Sequence, residues 1–457
     1  MEIVGKVAAT IQYVLGPETE ELGRATGVIQ RRRKFTAVSL LRMLVLTLLR
    51  KPDAKATDFQ STAAQLGLDV TSTAVENRFT PQLVGFLRAV LERTVLRVLA
   101  ASPQTVDLLN KFTSVRIGDS STIALPDELA DQFPGCGGIL RAGLAAMKIH
   151  LLWDFLTGSI LQLRITPGRA SDATNPIAQE VAPAGSLSLF DLGYFCLDRF
   201  QNLTRAGAFW ISRLQHGTSV FDAQGQPLAL LQYLRQQTGS GPIDVSVLLG
   251  VSHRLPCRLI ALRVPQEVAD RRRQKAYVKA QKHGRVPSRE YLEWQDWTIF
   301  VTNCEPELLT WEAVVVLYRA RWQIELLFKL WKSHNRLATH RAGAAAEEQL
   351  AVVYVKLIAV LVQHWILLTA TWCECRRSLM KAAAIIADWV TLLIDALDDL
   401  DRLIAILSRM KDVLLKAGAR VQNRNIHPSL SQLLQNPKAA EPQPKGLTSA
   451  PRTLRDS

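Results

Sequence analysis

Cysteine is scarce in this chain. The six cysteines among 457 residues are scattered, and only Cys373 and Cys375 lie close together. Their C-E-C spacing lacks the two-residue spacer of a zinc knuckle. The pattern therefore excludes a cysteine zinc site and a disulfide framework, and we expect free thiols in a reducing compartment.

Acidic residues are also in short supply, relative to basic ones. The chain has 41 Asp and Glu against 55 Lys and Arg, which gives a net charge of +14 and a pI near 9.7. Such a surplus favours a polyanionic partner, either nucleic acid or an anionic membrane surface. The alternative is a merely basic soluble protein, because net charge says nothing about fold.

The sequence opens without a cleavable signal sequence, and its longest apolar run is interrupted by polar residues. The most apolar window, residues 351–372, is long enough to span a bilayer. It contains Lys356, Gln363 and His364, which would be costly at the middle of a membrane. We therefore expect a buried core helix, no membrane partner and a cytoplasmic protein.

Residues 1–105 are predicted to form a helical, DNA-binding domain. Apolar residues recur at helical spacing in "FTAVSLLRMLVLTLL" and in "PQLVGFLRAVLERTVLRVLA". Between these stretches, two short helices joined at Gly67 fit either a DNA-reading helix-turn-helix or a plain helical hairpin. The run "RRRK" at residues 31–34 fits either a solvated loop or a phosphate contact.

From residue 113 onwards the pattern is typical of strands that alternate with helices. "TSVRIGDSSTIAL" and "LSLFDLGYF" are strand-like, and "MKIHLLWDFLTGSILQLRITPG" predicts a hairpin that turns at Thr157-Gly158. Such an order predicts an α/β fold with a mixed sheet. The expected domains are a core at 106–214 and 297–340, a β-rich insertion at 215–296, a helical region at 341–435 that is a candidate for dimerisation, and a disordered Pro-rich tail at 436–457.

The stretch "YRARWQIELLFKLWK" carries a narrow charged stripe in an apolar setting. On a regular helix Tyr318, Arg321, Glu325 and Lys332 fall within an arc of about 60°. A helix that is apolar around the rest of its circumference is expected to be buried, so Glu325 needs a cationic partner or a metal ion. The alternative is an ion pair between Arg321 and Glu325, which are four residues apart.

Two aspartates lie at or just beyond the predicted ends of apolar strands, Asp119 and Asp191. Ligand sites in open α/β sheets gather at such ends, although a lone aspartate there is commonly a cap or turn residue. Together with Glu325 they would make a site for a hard cation. Carboxylate oxygens suit Mg²⁺ or Mn²⁺.

Three of these stretches resemble the acidic motifs of DDE transposases: "RIGDSST", "LFDLGYF" and "YRARWQIELLFKLWK". The third is similar to the Tyr-Arg-Glu-Lys signature of bacterial insertion-sequence family four, in which Tyr, two residues, Arg, three residues, Glu, six residues and Lys follow each other. "KIHLLWDFLTGSILQLRITPGRASD" also looks like the strand pair between the first two acids of that family. The resemblance covers roughly residues 110–340.

The resemblance implies a ribonuclease-H-like core with a β-rich insertion, in which the three acids hold two divalent ions. It also implies that Tyr318, Arg321 and Lys332 contact phosphates near the transposon end. At Trp297 it implies that the indole stacks on a flipped base, and the alternative there is ordinary core packing.

The implied function is a cut-and-paste DNA transposase. Such an enzyme would act as a homodimer on terminal inverted repeats and on target DNA, in the bacterial cytoplasm and associated with the nucleoid. Two alternatives stay open from the residues alone. One is a non-catalytic DNA-binding regulator derived from a transposase, and the other is a structure-specific nuclease with the same core.

Overall fold

The structure is a computed structural model. It describes residues 2–29, 34–103, 106–136, 144–171, 177, 180–237, 241–339, 344–370, 372, 378–416 and 430–440. The chain divides into two compact units, of which the first comprises Met1–Thr105, Gly118–Ile177 and Gln323–Asn423. The second comprises Val106–Ile117, Ala178–Trp322 and Arg424–Ser457.

The first unit is mainly helical. Its amino-terminal helices are α1 (Ile3–Val14), α2 (Pro17–Thr26), α3 (Ala37–Arg50), α4 (Ala56–Gln65), α5 (Ser72–Glu76) and α6 (Pro81–Val95). Thr36, Thr71 and Thr80 each precede a helix and accept a hydrogen bond from a backbone N–H of its first turn. Such side-chain caps explain why α3, α5 and α6 begin at these points. The helices predicted in this region are present.

The short helices α4 and α5 fit the predicted two-helix pattern around Gly67. Gly67 adopts a left-handed conformation with φ of 75° after α4 ends, which glycine reaches at little steric cost. Whether these helices read DNA stays a prediction. Of the basic run at 31–34, only Lys34 lies within the described residues, and it pairs with Asp69 at 3.6 Å.

Helix α13 (Ala346–Leu368) packs against α3 and α6 in the first unit. It is the one described helix that is long and apolar enough to cross a membrane, and 94% of its most apolar window is buried inside the protein. Its buried polar residues have internal partners: Lys356 Nζ donates to the Arg336 carbonyl at 2.7 Å, and His364 Nε2 donates to the Gly158 carbonyl at 2.7 Å. A membrane interior would not supply these partners, so the buried-helix interpretation fits.

The remaining helices of the first unit follow the motif region and α13. They are α12 (Trp322–Lys329, its first residue in the second unit), α14 (Leu379–Asp388), α15 (Val390–Ile394) and α16 (Leu400–Lys416), and a π-helical turn at Leu330–His334 continues α12. A helical region was expected at 341–435, and α13 to α16 lie within it, whereas its bounds stay a prediction.

The first unit also holds one end of a sheet, with strand order β3-β2-β1. Strands β2 (Ala145–Asp154) and β3 (Ile160–Pro167) pair antiparallel and are joined by the predicted turn at Thr157-Gly158. Strand β1 spans Val115–Leu125, and the division between the units falls within it, after Ile117.

In the second unit the strand order is β1-β4-β5-β9-β8-β7-β6. The strands beyond β1 are β4 (Leu187–Phe190), β5 (Phe209–Arg213), β6 (Val220–Phe221), β7 (Ile243–Leu249), β8 (Leu255–Arg263) and β9 (Trp297–Thr302). Strands β4 and β5 are parallel, whereas β9 is antiparallel to both β5 and β8. The sheet is therefore mixed, and β9 returns to the core strand β5 as predicted.

The helices of the second unit lie between these strands and after them: α7 (Leu197–Arg205), α8 (Leu230–Gln236), α9 (Gln266–Gln281), α10 (Arg289–Trp294), α11 (Trp311–Ala320) and α17 (Leu430–Gln435). The predicted insertion at 215–296 thus contains three strands and three helices among its described residues. The predicted core at 106–214 and 297–340 is divided between the two units, and its boundaries stay predictions. Of the predicted tail, residues 441–457 lie outside the described residues.

Candidate active site

Asp191 follows β4 directly, as the sequence predicted. It occupies the residue before a 3₁₀ turn at Leu192–Tyr194 and keeps an extended backbone, with φ of −75° and ψ of 166°. Its side chain is 47% exposed. The carboxylate is therefore held at the end of a buried strand yet remains accessible to a ligand.

Arg321 links this acid to the Tyr-Arg-Glu-Lys stretch. It lies at the carboxyl end of α11, and its Nη2 is 3.8 Å from Asp191 Oδ1. The arginine side chain is only 12% exposed, so this pair is better shielded from solvent than an ordinary surface ion pair. Within the second unit, two residues that are 130 positions apart are thereby brought to one place.

Tyr318 lies one turn before Arg321 on α11. The Tyr318 ring packs edge-on against Phe300, with 5.1 Å between the two ring centroids. The Arg321 guanidinium lies 5.8 Å from the centroid of the Tyr318 ring. The pKa of Tyr318 is raised to about 12, chiefly by burial; Arg321 opposes this increase and the Asp191 carboxylate adds to it. The phenol thus stays protonated at neutral pH and can donate a hydrogen bond to an anionic oxygen.

A pocket of about 260 Å³ opens beside Tyr318. Its apolar wall includes Phe300 and Val315, and three arginines also line it, namely Arg263, Arg272 and Arg319. Burial lowers the pKa of Arg272 and that of Arg319, and Arg213 lowers the pKa of Arg272 further. Guanidinium groups held in a partly dry pocket interact strongly with phosphate.

Trp297 begins β9 and is 8% exposed. It belongs to the main apolar cluster of the second unit, together with Ile299 and Val301, which point to the same face of the strand. Core packing accounts for this side chain as it stands. Base stacking on Trp297 stays a prediction.

Asp119 lies in the interior of β1, four residues after its start and six before its end, so the expectation that it ends a strand is wrong. The polar run Ser120-Ser121-Thr122 continues the strand instead of terminating it, and threonine is favoured in strands. Asp119 Oδ1 accepts a hydrogen bond from the Ser120 N–H at 2.8 Å.

Lys332 connects the motif helix to the strand that carries Asp119. It lies in the π-helical turn, and its Nζ donates to the Thr122 carbonyl at 2.8 Å. Partial burial lowers the pKa of Lys332. The first unit thus brings the last residue of the signature next to β1, three residues from the first acid.

Glu325 is half-buried on α12, but the expectation of a helix buried all round is wrong. Trp322 is 51% exposed and Leu326 is 38% exposed, so part of the apolar surface of α12 faces solvent. The stretch is also not one regular helix. It is interrupted at Arg321, whose N–H donates to the Tyr318 carbonyl at 3.2 Å, and it ends in the π-helical turn. The arc calculated for a regular helix therefore does not describe it.

The chemistry of the three acids fits a hard divalent cation, because each offers carboxylate oxygens that are not fully buried. Within the described ranges, however, no group of three or more His, Cys, Asp or Glu side chains is arranged so that it could hold a metal ion. In the second unit, Asp191 is engaged by the Arg321 guanidinium. The carboxylate oxygens therefore suit a metal ion, but among the described residues they are not assembled into a metal-binding group.

Comparison with known proteins agrees with these motifs. Residues 110–361, more than half of the chain, match the family described as "Transposase DDE domain". The chain belongs to this family of DNA-cleaving and strand-transferring enzymes, whose members generally use divalent metal ions.

Several insertion-sequence transposases are similar over most of their length. The transposase for insertion sequence element IS231B of Bacillus thuringiensis subsp. berliner is 28% identical over 440 residues, which are 88% of this chain and 89% of that protein. The IS1151 transposase of Clostridium perfringens is 24% identical over 77% of this chain and 78% of its own length. The putative transposase InsL for IS186A of Escherichia coli (strain K12) is 27% identical over 51% of this chain and 62% of its own length.

Sequence reasoning missed two features of this region. One is the exposure of Trp322, which was assigned to the apolar remainder of the helix. The other is the group of three arginines at the Tyr318 pocket. Arg319 could have been noticed beside Tyr318, whereas Arg263 and Arg272 are brought there by β8 and α9, and no local pattern signals that.

Proposed function

We propose that this chain is the transposase of a bacterial insertion sequence, which cleaves DNA at the element's ends and joins the 3′ ends to target DNA by a cut-and-paste route. One observation supports this most directly. The Tyr-Arg-Glu-Lys stretch contacts both acidic segments, through Arg321 and Asp191 in the second unit and through Lys332 and the Thr122 carbonyl in the first. Family membership agrees with the same assignment.

In this proposal Asp119, Asp191 and Glu325 hold two Mg²⁺ or Mn²⁺ ions. Such ions, when bound, would activate a water or DNA 3′-hydroxyl and stabilise the leaving oxygen of an in-line phosphoryl transfer. The Arg321 guanidinium pairs with Asp191. It is thereby held ready for a phosphate, which it can bind through two parallel hydrogen bonds.

The other signature residues would hold the DNA backbone. Tyr318 stays protonated at neutral pH, so its hydroxyl would donate a hydrogen bond to a phosphate oxygen without adding charge. Lys332 uses one N–H for the Thr122 carbonyl and has two further donors for phosphate. Trp322, half exposed next to Arg321, is suited to stack on an unpaired base, because an exposed indole offers a free π-face.

The wider architecture is proposed from the resemblance and from the reaction. The core would be ribonuclease-H-like, with residues 215–296 inserted, and the amino-terminal helices would bind terminal inverted repeats. A homodimer, formed through residues 341–435, would let two active sites act on two ends. The protein would work in the bacterial cytoplasm, in association with the nucleoid.

The test uses duplex DNA that carries the inverted repeats flanking the reading frame. The full chain is incubated with this DNA and with Mg²⁺ or Mn²⁺, and cleavage and transfer of the 3′ end into a target plasmid are measured. We expect cleavage at the repeat boundary, followed by joining.

Two outcomes would contradict the proposal. Binding of the repeats with no cleavage under either metal would favour a regulator derived from a transposase. Cleavage of flaps or hybrids with no end preference and no joining would favour a structure-specific nuclease.

A further inference from the structure

Helix α9 and the residue that follows it carry a row of cations. Between Arg271 and Arg289 the sequence contains eight Lys and Arg and no Asp or Glu. Four of these cations, Arg271, Lys275, Lys279 and Lys282, are exposed. Within the described part of the chain none of the four makes an ion pair, and Arg271 donates only to the Glu267 carbonyl of its own helix, at 3.1 Å. These four residues are called the cationic row of α9.

The residues of α9 that face the unit are arranged differently. Arg273 pairs with Asp270 and with Asp296, and Arg272 donates to the Trp297 carbonyl and to Thr298 Oγ1, each at 3.0 Å. Ala269 and Ala276 are buried against the unit. The inward arginines therefore fix the helix, whereas the outward cations contribute nothing visible to the fold.

The spacing of the row gives it a definite shape. At about 100° per residue, the four side chains fall within an arc of about 80°, and at about 1.5 Å per residue they extend over roughly 17 Å. A row of that length matches about five nucleotides of one strand, since phosphates of one strand recur about every 3.4 Å along the duplex axis. Four like charges on one face are unfavourable unless a polyanion neutralises them.

A sequence neighbour of the cationic row lines the pocket beside Tyr318. Arg272 follows Arg271 on α9 and lines this pocket with Arg263 and Arg319. All of these residues belong to the second unit. The pocket and the cationic row therefore lie in the same unit and are connected through α9.

We propose that the cationic row of α9 is a sequence-independent docking surface for the phosphate backbone of duplex DNA beyond the reacting phosphate. The proposal rests on the function proposed above. An anionic membrane fits less well, because the exposed apolar residues of α9 are limited to Tyr277 and Val278, at 39% and 44% exposure. A membrane-surface helix needs a larger apolar face than these two side chains supply.

The test compares the full chain with a variant in which Arg271, Lys275, Lys279 and Lys282 are all replaced by Gln. Binding to end-bearing DNA and to a random duplex is measured at salt concentrations from about 50 to about 200 mM, a range over which the salt dependence of the binding constant can be determined. Each lost phosphate contact lowers the slope of log K against log salt by about 0.9, so the slope should fall by up to about 3.6. Both duplexes should lose affinity, by at least about tenfold at low salt, since phosphate contacts carry no base information.

A charge-conserving variant provides the matched control, with Arg271→Lys, Lys275→Arg, Lys279→Arg and Lys282→Arg. It should keep the wild-type slope, and circular dichroism should be unchanged in both variants, because Gln, Lys and Arg are good helix formers. An unchanged slope of log K against log salt in the Gln variant overturns the proposal of a docking surface. The proposed transposase function would still stand in that case if the protein cleaves DNA ends. Loss of binding to anionic vesicles, with DNA binding intact, would assign the row to a membrane and overturn the proposal too.

Discussion

Replacing Gly158 with alanine should destabilise the protein more than the same change at Gly67, which has an equivalent backbone conformation. Gly158 has φ of 75°, and a Cβ there would overlap the indole ring of Trp372. Its carbonyl accepts hydrogen bonds from His364 Nε2 at 2.7 Å and from Trp153 Nε1 at 3.1 Å. The β2–β3 turn and α13 are thus joined through one small residue.

The expected cost has two parts. A left-handed backbone costs an alanine about 1–2 kcal/mol. Overpacking against Trp372 adds about 1–3 kcal/mol, because the ring cannot move without disturbing the hydrogen bonds to the same turn. We therefore expect Gly158→Ala to lower the free energy of unfolding by about 2–5 kcal/mol.

The matched control is Gly67→Ala. Gly67 also has φ of 75°, but no atom lies within 4 Å of a Cβ built there. It should cost only the backbone part, about 1–2 kcal/mol. Urea unfolding followed by tryptophan fluorescence measures both variants, and equal destabilisation of the two would refute the packing argument.

Three further predictions concern single residues. Burial lowers the pKa of His364 to about 4, so between pH 6.5 and 4 the unfolded chain binds a proton that the folded chain does not. The free energy of unfolding should therefore fall by roughly 3 kcal/mol as the pH decreases over that window. In urea titrations, His364→Gln should remove this decrease. Lys332→Met should slow end cleavage by roughly ten- to a hundredfold, because a charge-assisted hydrogen bond contributes about 1.5–3 kcal/mol, and a wild-type rate would exclude its phosphate contact. In fluorescence titrations, Trp322→Ala should weaken the binding of end DNA that has unpaired bases by at least about tenfold. The melting temperature of the protein should stay nearly unchanged, because the side chain is exposed. A variant that binds this DNA as tightly as the wild type would count against stacking.

Elements with strong local patterns were predictable from the sequence. The hairpin of β2 and β3 follows from two apolar runs and a Thr-Gly turn, and β9 was expected to return to the core. The stretch that forms α9 is polar and basic, and the four side chains of its cationic row are exposed. In each case local chain preference and tertiary structure agree.

Features set by distant contacts were not predictable. The interruption at Arg321 coincides with its contact to Asp191, and the π-helical turn places Lys332 against Thr122. A regular helical wheel contains neither effect. The position of Asp119 inside β1 was missed because strand ends are poorly defined by local sequence when small polar residues continue a strand.

The residues of the candidate site were assigned from the order and spacing of the motifs that contain Asp119, Asp191 and the signature residues, and their roles stay predictions. The arginines at the Tyr318 pocket come from separate strands and helices, so only the fold brings them together. The exposure of Trp322 likewise depends on what packs against α12.

The central claim is that Glu325 acts with the two aspartates in metal-dependent cleavage of DNA ends. The most direct measurement compares Glu325→Gln with Glu307→Gln, an exposed glutamate in the loop before α11. Both variants are assayed for end binding and for Mn²⁺-dependent cleavage of the same duplex. We expect Glu325→Gln to bind DNA normally but to cleave it at least about a thousandfold more slowly, because a metal ligand is removed. Glu307→Gln should bind and cleave DNA as the wild type does. Full cleavage by Glu325→Gln would contradict the central claim.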